Sequence, residues 1–520
     1  MSETRAAMSA STPPPNPAAA PCIACRSDLL PLAVASLIEH GLVPDFSAAS
    51  LAELAAIPGP AQSHSPAMED MRGALWCSID DDDSRDLDQL SLCESVAGGW
   101  KLWVAIADVD ALVIKGSAID LQAQRNTTSV YTAAKVFPML PERLSTDLTS
   151  LNAQQDRLAM VTEMTLDSDG AVSAFRIFRA QVRNHAKLAY DSLAAWLEGE
   201  GDVPSAAQSA PGLDAQLRLQ DSAAQALRKR RTAHGALEFE TFQPRAEVKG
   251  DKVVGIRQQE HNRARQLIEE FMVATNICTA QFLERQGGMA MRRVVRSPER
   301  WARVVQVAKK YDEALPAEPD SKALEAFLER RRKADPLRFP DLSLTIVQLM
   351  GAGEYVVEGA EPGVPVDHSR VVAIEDYGHF GLAVRDYAHS TAPNRRYPDL
   401  ISHRLVKAIL AGQPCPYSVD ELQTLADHCN QQESAARKVE RSLRKSEAAL
   451  YLHDKVGQQF DAVVTGKNSK GTWLRTLVPP VQGKLENAAP EVDVGDKLRV
   501  QLHSTDVAAG HINFEAVQAK

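Results

Sequence analysis

Cysteine is scarce: seven residues are spread over 520 without pairing. That leaves no disulfide framework to read, and reduced thiols are expected. Cys22 and Cys25 form a single C-x-x-C. No second pair and no histidine couple stands at zinc-ligand spacing, so two incidental thiols is the simpler reading. Long apolar runs are also missing. No stretch approaches the roughly 18 apolar residues of a membrane span, and residues 1–21 lack the apolar core of a secretory signal. A cytoplasmic protein with no membrane partner is expected. There is no internal repeat and no oligomer signal, so a monomer is expected. Positive charge is not in excess either: 58 Lys and Arg against 68 Asp and Glu give −10. Such a balance argues at first sight against a nucleic-acid partner, but net charge averages over segregated surfaces. Basic clusters do occur at Arg228–Arg231, Arg292–Arg293, Arg330–Lys333 and Arg395–Arg396. The run at 330–333 reads as a solvated helix face. Charge therefore leaves the partner open.

What is present is an ordinary globular composition, 44% hydrophobic and 24% charged, in a chain long enough for two or three domains. Residues 1–21 are too poor in large apolar residues to fold. Residues 22–68 carry helical spacing in SDLLPLAVASLIEHGL and SAASLAELAAI, with Ser47 or Ser50 placed to cap the second helix. From 69 to 415 strands and helices mix. ALWCSID and KLWVAIADV have strand length, RNHAKLAYDSLAAWLE turns from strand into helix, and ARQLIEEFMVATNICTAQFLERQ is a long amphipathic helix with Glu269 off its apolar face. An α+β fold with one large mixed α/β body follows. Residues 416–457 read as a charged helical connector. Residues 458–520 hold about five short strand-like runs, consistent with a small barrel of OB type. Trp473 is either a base-stacking residue there or part of the barrel core.

The segment with most chemistry is GALWCSIDDDDSRDLDQLSL. A strand-like run delivers Asp80, and after a polar turn Asp86 and Asp88 follow two apart. In an extended chain that spacing places both carboxylates on one side while Leu87 anchors the other. Carboxylates gathered in this way repel unless a cation neutralises them. Grouped hard oxygens favour Mg²⁺ or Mn²⁺, ions suited to phosphoryl transfer. A solvated acidic loop or a calcium turn is the alternative. The second segment, HSTAPNRRYPDLISHR, puts Arg395 and Arg396 in a Pro-bracketed loop just before a helix. Guanidinium forks and helix N-terminal amides both suit phosphate.

With these segments in view, the chain resembles the ribonuclease II and ribonuclease R (RNB-domain) exoribonucleases, from Ala74 to about Leu410. The family's D-x5-D-x-D-D motif is matched by Asp80, Asp86, Asp88 and Gln89, and its arginine loop by Thr391–Tyr397. KLWVAIADVDALV, VFPMLPERLS, HAKLAYDSL, HGALEFET, NRARQLIEEFMVATN and GHFGLAV all follow in the family's order. The resemblance implies 3′→5′ hydrolysis of single-stranded RNA to 5′-mononucleotides with Mg²⁺ or Mn²⁺. It implies Asp80, Asp86, Asp88 and Gln89 as the metal set and Asp80, Asp86, Asp88 and Arg395 as the catalytic set. Asp88 would be tied most directly to cleavage. It implies Tyr131 and Phe239 as the aromatics that stack the 3′-terminal bases, with Tyr190, Glu269 and Arg396 as further substrate contacts.

Two features depart from the family. Gln89 stands where a fourth aspartate is usual and offers a carbonyl oxygen but no charge. Either the enzyme works with an altered metal site, or the protein is an RNA-binding relative without turnover. Asp81, Asp82 and Asp83 are at hand to compensate. The second departure is the N-terminus, where about seventy residues of helical spacing replace the two cold-shock barrels usual in the family. An accessory role is expected for this stretch.

Overall fold

The computed structural model describes residues 25–63, 65–240, 244–258, 261–359, 378–488 and 492–517. The expected tail at 1–21 and Cys22 lie outside them. Helices α1 (Leu29–Glu39) and α2 (Ala48–Ala56) come first. Ser47 caps α2, its side chain accepting from the Ser50 amide, which removes one of the orphan donors of the first turn.

The body begins with strands β1 (Glu69–Asp70), β2 (Trp76–Asp80), β3 (Gln89–Val96) and β4 (Gly99–Ala107). Helix α3 (Ala118–Asn126) and the short hairpin β5 (Val130–Tyr131) and β6 (Val136–Phe137) follow, then β7 (Asp156–Asp167) and β8 (Val172–Ala189). β8 serves two neighbours. Its first part runs antiparallel to β7, and its last part runs parallel to β2 with Asp80 opposite Ala189. The pairings thus pass from β8 through β2, β3, β4 and β7 and return to β8. Strand β2 is buried from Trp76 to Ile79, whereas the end of β8 alternates, with Val182, Ala186 and Leu188 buried and Arg183, His185 and Lys187 half-buried on its other face.

Helices α4 (Tyr190–Glu198), α5 (Ser205–Gln208) and α6 (Leu213–Ala233) follow, with hairpin β9 (Pro244–Lys249) and β10 (Lys252–Gln258) and the long α7 (Arg263–Arg285). Leu193, Trp196, Leu217, Leu267 and Phe271 close one core against Ile79, Val104, Ile106 and Leu188 of the sheet. Burying a side chain such as Phe271 contributes about 1.5–3 kcal/mol. Next come β11 (Ala290–Val294), α8 (Trp301–Lys309), α9 (Ser321–Ala334), α10 (Phe339–Met350) and β12 (Glu354–Glu358), with α8 to α10 forming a cluster of their own around Phe327 and Phe339. Helix α11 (Tyr397–Leu410) packs Tyr397, Ile401 and Leu405 on the sheet's other face with Trp76, Leu90 and Met160.

The expected connector is α12 (Val419–Leu452), 34 residues and about 50 Å long at 1.5 Å per residue. It touches α1, the β9–β10 hairpin, β12 and the barrel. The barrel closes in the order β13 (Gln459–Asn468), β14 (Gly471–Thr476), β15 (Gln482–Glu486), β17 (His511–Ala516) and β16 (Lys497–Asp506). Its core holds Phe460, Leu474, Leu485, Leu502 and Phe514, while Trp473 is only partly buried. Among the described residues no helix is long and apolar enough to cross a membrane.

Candidate active site

The acidic motif spans the β2–β3 connection. β2 ends on Asp80, whose carboxylate accepts from the Asp81 amide at 2.7 Å and the Ser84 hydroxyl at 2.9 Å. Leu87 is 2% exposed in the core, and its amide donates to Ser150 Oγ at 2.9 Å. That anchor turns Asp86 and Asp88 the other way, close enough for the Asp86 charge to act on Asp88. Asp88 is 5% exposed and accepts from the Asn394 amide and Arg395 Nε, both at 3.2 Å. Burial pushes its carboxyl up to about 7; the Arg395 guanidinium pulls the other way and Asp86 adds to the rise. Burial likewise raises Asp80 and Asp86.

The arginine loop is held from behind by a buried polar network. The Ser390 amide donates to Asn276 Oδ1 at 2.8 Å, and the His403 ring meets the Ser390 carbonyl at 2.8 Å. Arg396 turns to Asp399 of the first turn of α11 at 2.7 Å, and Asp399 also accepts from the Ala392 amide at 2.8 Å. Arg395 is left facing Asp88, its side chain 45% exposed. A backbone bridge between Thr128 and Arg396, with the Ser129 amide donating to the Arg395 carbonyl at 3.0 Å, ties this loop to the segment before Tyr131. Tyr131 is 42% exposed, and its surroundings are charged by Arg395, Asp86 and Asp88.

Tyr190 opens α4 beside the Asp80 charge. The Arg265 guanidinium lies over its ring, 4.3 Å from the centroid. The two remaining substrate candidates sit further along. Glu269 is half exposed on α7 and pairs with Arg231 at 3.2 Å. Phe239 lies between α6 and β9, partly buried on the α8–α10 cluster. Asp80, Asp86, Asp88, Tyr131 and Tyr190 therefore all lie within reach of the Arg395 charge, while Glu269 stands on α7 and Phe239 in the connection before β9.

Several neighbours were not read from the sequence. The Asn394 amide reaches Asp88 from within the arginine loop, and Asp399 of the first turn of α11 orients Arg396. Arg265, one helical turn before Glu269, pairs with Asp81, and Arg245 reaches Asp81 at 3.3 Å. Lys187 Nζ holds the Asp82 and Ser84 carbonyls at 2.8 and 2.7 Å. Asp81 is thus occupied by two guanidiniums and does not stand free to replace the missing fourth charge. The other basic clusters are also largely engaged within the fold. Arg228 pairs with Glu238, Arg231 with Glu270, Arg293 with Glu433 and Arg330 with Glu313.

The donors fit a hard divalent cation in kind, being carboxylates kept costly by burial plus one amide. Gln89 Nε2 donates to the Ile79 carbonyl at 2.9 Å, while its Oε1 is buried without a hydrogen-bond partner. Such an orphaned oxygen suits a cation ligand. Among the described residues, no three Asp, Glu, His or Cys side chains converge closely enough to hold one ion. The amide oxygen would therefore be needed to complete any oxygen set.

An RNB-domain model matches residues 68–412, and a model of the RNase II-type exonuclease C-terminal S1 domain matches 458–517. The chain belongs to the RNB family. Ribonuclease R of Vibrio parahaemolyticus is 33% identical over 485 residues, covering 86% of this chain and 56% of that protein. Ribonuclease R of Escherichia coli is 33% identical over 423 residues, covering 78% and 49%. The chain spans about half the length of these curated relatives. Mycoplasma genitalium RNase R in complex with ribose-methylated single-stranded RNA superimposes with a TM-score of 0.82 at 21% identity, over 94% of this chain and 78% of that one. Yeast Ssd1, a pseudonuclease, gives 0.67 at 15% identity, over 90% and 57%. These likenesses establish a mixed α/β RNB fold with a C-terminal closed barrel.

Proposed function

We propose that this RNB protein is a 3′→5′ hydrolytic exoribonuclease, a cytoplasmic monomer that degrades single-stranded RNA to 5′-mononucleotides with Mg²⁺ or Mn²⁺. The carrying observation is Asp88, a buried carboxylate raised to about 7 and bonded to one half-exposed arginine at 3.2 Å. In this reading Arg395 exchanges part of its contact with Asp88 for the scissile phosphate and offsets charge that develops there. Asp399 and the Asn276–Ser390 network hold the loop still, which limits the reorganisation needed on binding.

Tyr131 and Phe239 stack the terminal bases, which suits sequence-tolerant binding because every base has a π face. Tyr190 and Glu269 hold the last nucleotides, where a contact to the 2′-hydroxyl favours RNA over DNA. Arg396 fixes the loop beside the phosphate through Asp399. Asp80, Asp86, Asp88 and the Gln89 amide would hold the divalent ion. When bound, such an ion supplies Lewis-acid polarisation of phosphate and a more acidic water.

A second reading, an RNA-binding protein without turnover, is favoured by one observation: Gln89 brings no charge and spends its amide N–H on Ile79. A 5′-labelled single-stranded RNA incubated with Mg²⁺ or Mn²⁺ separates the two. A ladder shortening from the 3′ end is expected. Intact RNA under both metals, with a gel shift proving that it binds, would establish the second reading instead.

A further inference from the structure

The hairpin that carries Tyr131 is too small to hold itself. Its strands β5 and β6 have two residues each, and even longer isolated hairpins are marginal in water. Within the turn only the Thr132 hydroxyl contributes, donating to the Lys135 carbonyl at 2.7 Å and accepting from its amide at 3.1 Å. At its base the Met139 amide donates to Ser129 Oγ at 2.9 Å, and further restraints come from distant parts of the chain. At its start the Arg395 loop holds Ser129. Along its length α12 offers Glu440 to the Tyr131 amide at 3.1 Å and Glu447 to the Ala133 amide at 2.8 Å.

The N-terminal stretch supplies the rest. Arg26 donates through Nε to the Ala133 carbonyl and through Nη2 to the Ala134 carbonyl, the latter at 3.3 Å. The Ala133 peptide is therefore gripped on both sides, its N–H by a carboxylate and its C=O by a guanidinium. These are charge-assisted bonds, stronger than neutral ones. The Arg26 charge also acts on Glu447, whose carboxyl burial raises.

Arg26 is itself held in place. Its amide donates to the Asp251 carbonyl at 2.9 Å. Ser27 donates its amide and hydroxyl to the Asp251 carboxylate at 2.8 and 2.7 Å. Beyond it, Ala33 and Leu37 of α1 are fully buried in one cluster with Val130 and Phe137 of the hairpin and Val439 and Leu443 of α12. At the other end, Val43 and the Asn126 side chain exchange two hydrogen bonds of 2.9 and 2.7 Å. Asn126 immediately precedes Thr127, which takes a left-handed conformation at φ 58° and accepts from the Tyr397 amide at 2.8 Å. Residues 26–43 thus clasp both ends of the segment 126–137.

We infer that this N-terminal stretch braces the substrate-binding hairpin and that Arg26 is a positioning residue for Tyr131. The inference rests on the reading of Tyr131 as a base-stacking residue. It changes the role of the stretch from accessory to part of the RNA site, held at the hairpin's back rather than at the RNA.

The test compares R26A, R26K, Y131A and R26A/Y131A on a short single-stranded RNA, measuring kcat and KM separately. Loss of the brace lets the aromatic wander, so R26A should raise KM roughly fivefold and leave kcat within about twofold. R26K keeps the charge and should recover part of the loss. Because both single changes act through one ring, the double variant should be no worse than Y131A. Hydrogen exchange should quicken at 130–137 in R26A and stay unchanged at 397–410. An unchanged KM in R26A beside a clear defect in Y131A would overturn the brace alone. So would multiplication of the two effects in the double variant. An unchanged KM in Y131A would overturn the stacking reading, and the brace with it.

Discussion

Asp88 and Asp108 flank the same pair of strands, one just before β3 and the other just after β4, and both are buried, at 5% and 4% exposure. Their surroundings differ sharply. Asp108 receives Arg179 at 2.9 Å and Lys407 at 2.8 Å. Burial alone would raise its carboxyl, but the two cations outweigh burial and hold it below the usual range. Asp88 receives one guanidinium at 3.2 Å and one amide, feels Asp86 beside it, and is pushed up to about 7. The chain has enough cations nearby to neutralise a buried carboxylate fully and does so where the role is structural. Around Asp88 it leaves charge unbalanced, a cost in the free protein that a proton or a bound cation would relieve.

Arg395→Ala is the largest way to sharpen the contrast, because it takes away the guanidinium that faces Asp88 and would face the phosphate. RNA turnover at saturating substrate should fall by roughly 10²–10³-fold, while thermal unfolding shifts little. Asp108→Asn should do the reverse. Leaving Arg179 and Lys407 without their shared partner should cost about 3 kcal/mol in urea unfolding, with turnover per folded molecule close to the parent. A large loss of turnover from the folded Asp108→Asn protein would break the distinction between the two carboxylates.

Gln89→Asp tests whether the pocket is short of charge. The Mg²⁺ concentration for half-maximal turnover should drop roughly tenfold, while the melting temperature falls because the bond to the Ile79 carbonyl is lost. A smaller effect belongs to Glu325, a third buried carboxylate, 4% exposed, which accepts from the Glu238 amide at 2.8 Å beside Phe239. Burial pushes it up to about 7 from 4.5, so the folded state holds the proton more tightly than the unfolded one. Its contribution is complete below pH 4.5 and is lost as pH rises to about 7. Glu325→Gln should flatten the stability profile across that window by about 1 kcal/mol, read from urea midpoints at several pH values.

Local pattern made much of the fold legible. KLWVAIADV carries β4 up to Ala107, RNHAKLAYDSL breaks from strand to helix between Ala189 and Tyr190, and FDAVVTGKN, GTWLRTLV, GDKLRVQLHSTD and HINFEAV hold four of the five barrel strands, β15 being the one not read. The acidic spacing also predicted the anchoring of Leu87 opposite Asp86 and Asp88. What was not legible depends on partners far along the chain. Asp81 looked available until Arg245 and Arg265 reached it from 164 and 184 residues away. The α1 helix was readable as a helix, but its docking joins Ala33 and Leu37 to Val130 and Phe137, and just before it Arg26 reaches residues 133 and 134. No periodicity within residues 22–68 carries that information. Gln89 was readable as a lost charge and not as a donor to β2, because its bond bridges two strands that are otherwise paired only at Cys77 and Ser91.

The most direct test of the contrast is Asp88→Asn, measured for unfolding, RNA binding and turnover in the same preparation. Removing a carboxylate that burial already opposes should leave the midpoint of urea unfolding unchanged or higher. RNA should still bind, and the ladder from the 3′ end should vanish. A variant that unfolds as readily as Asp108→Asn, or that still shortens RNA at the parent's rate, would contradict the account of Asp88 as the carboxylate left unbalanced for function.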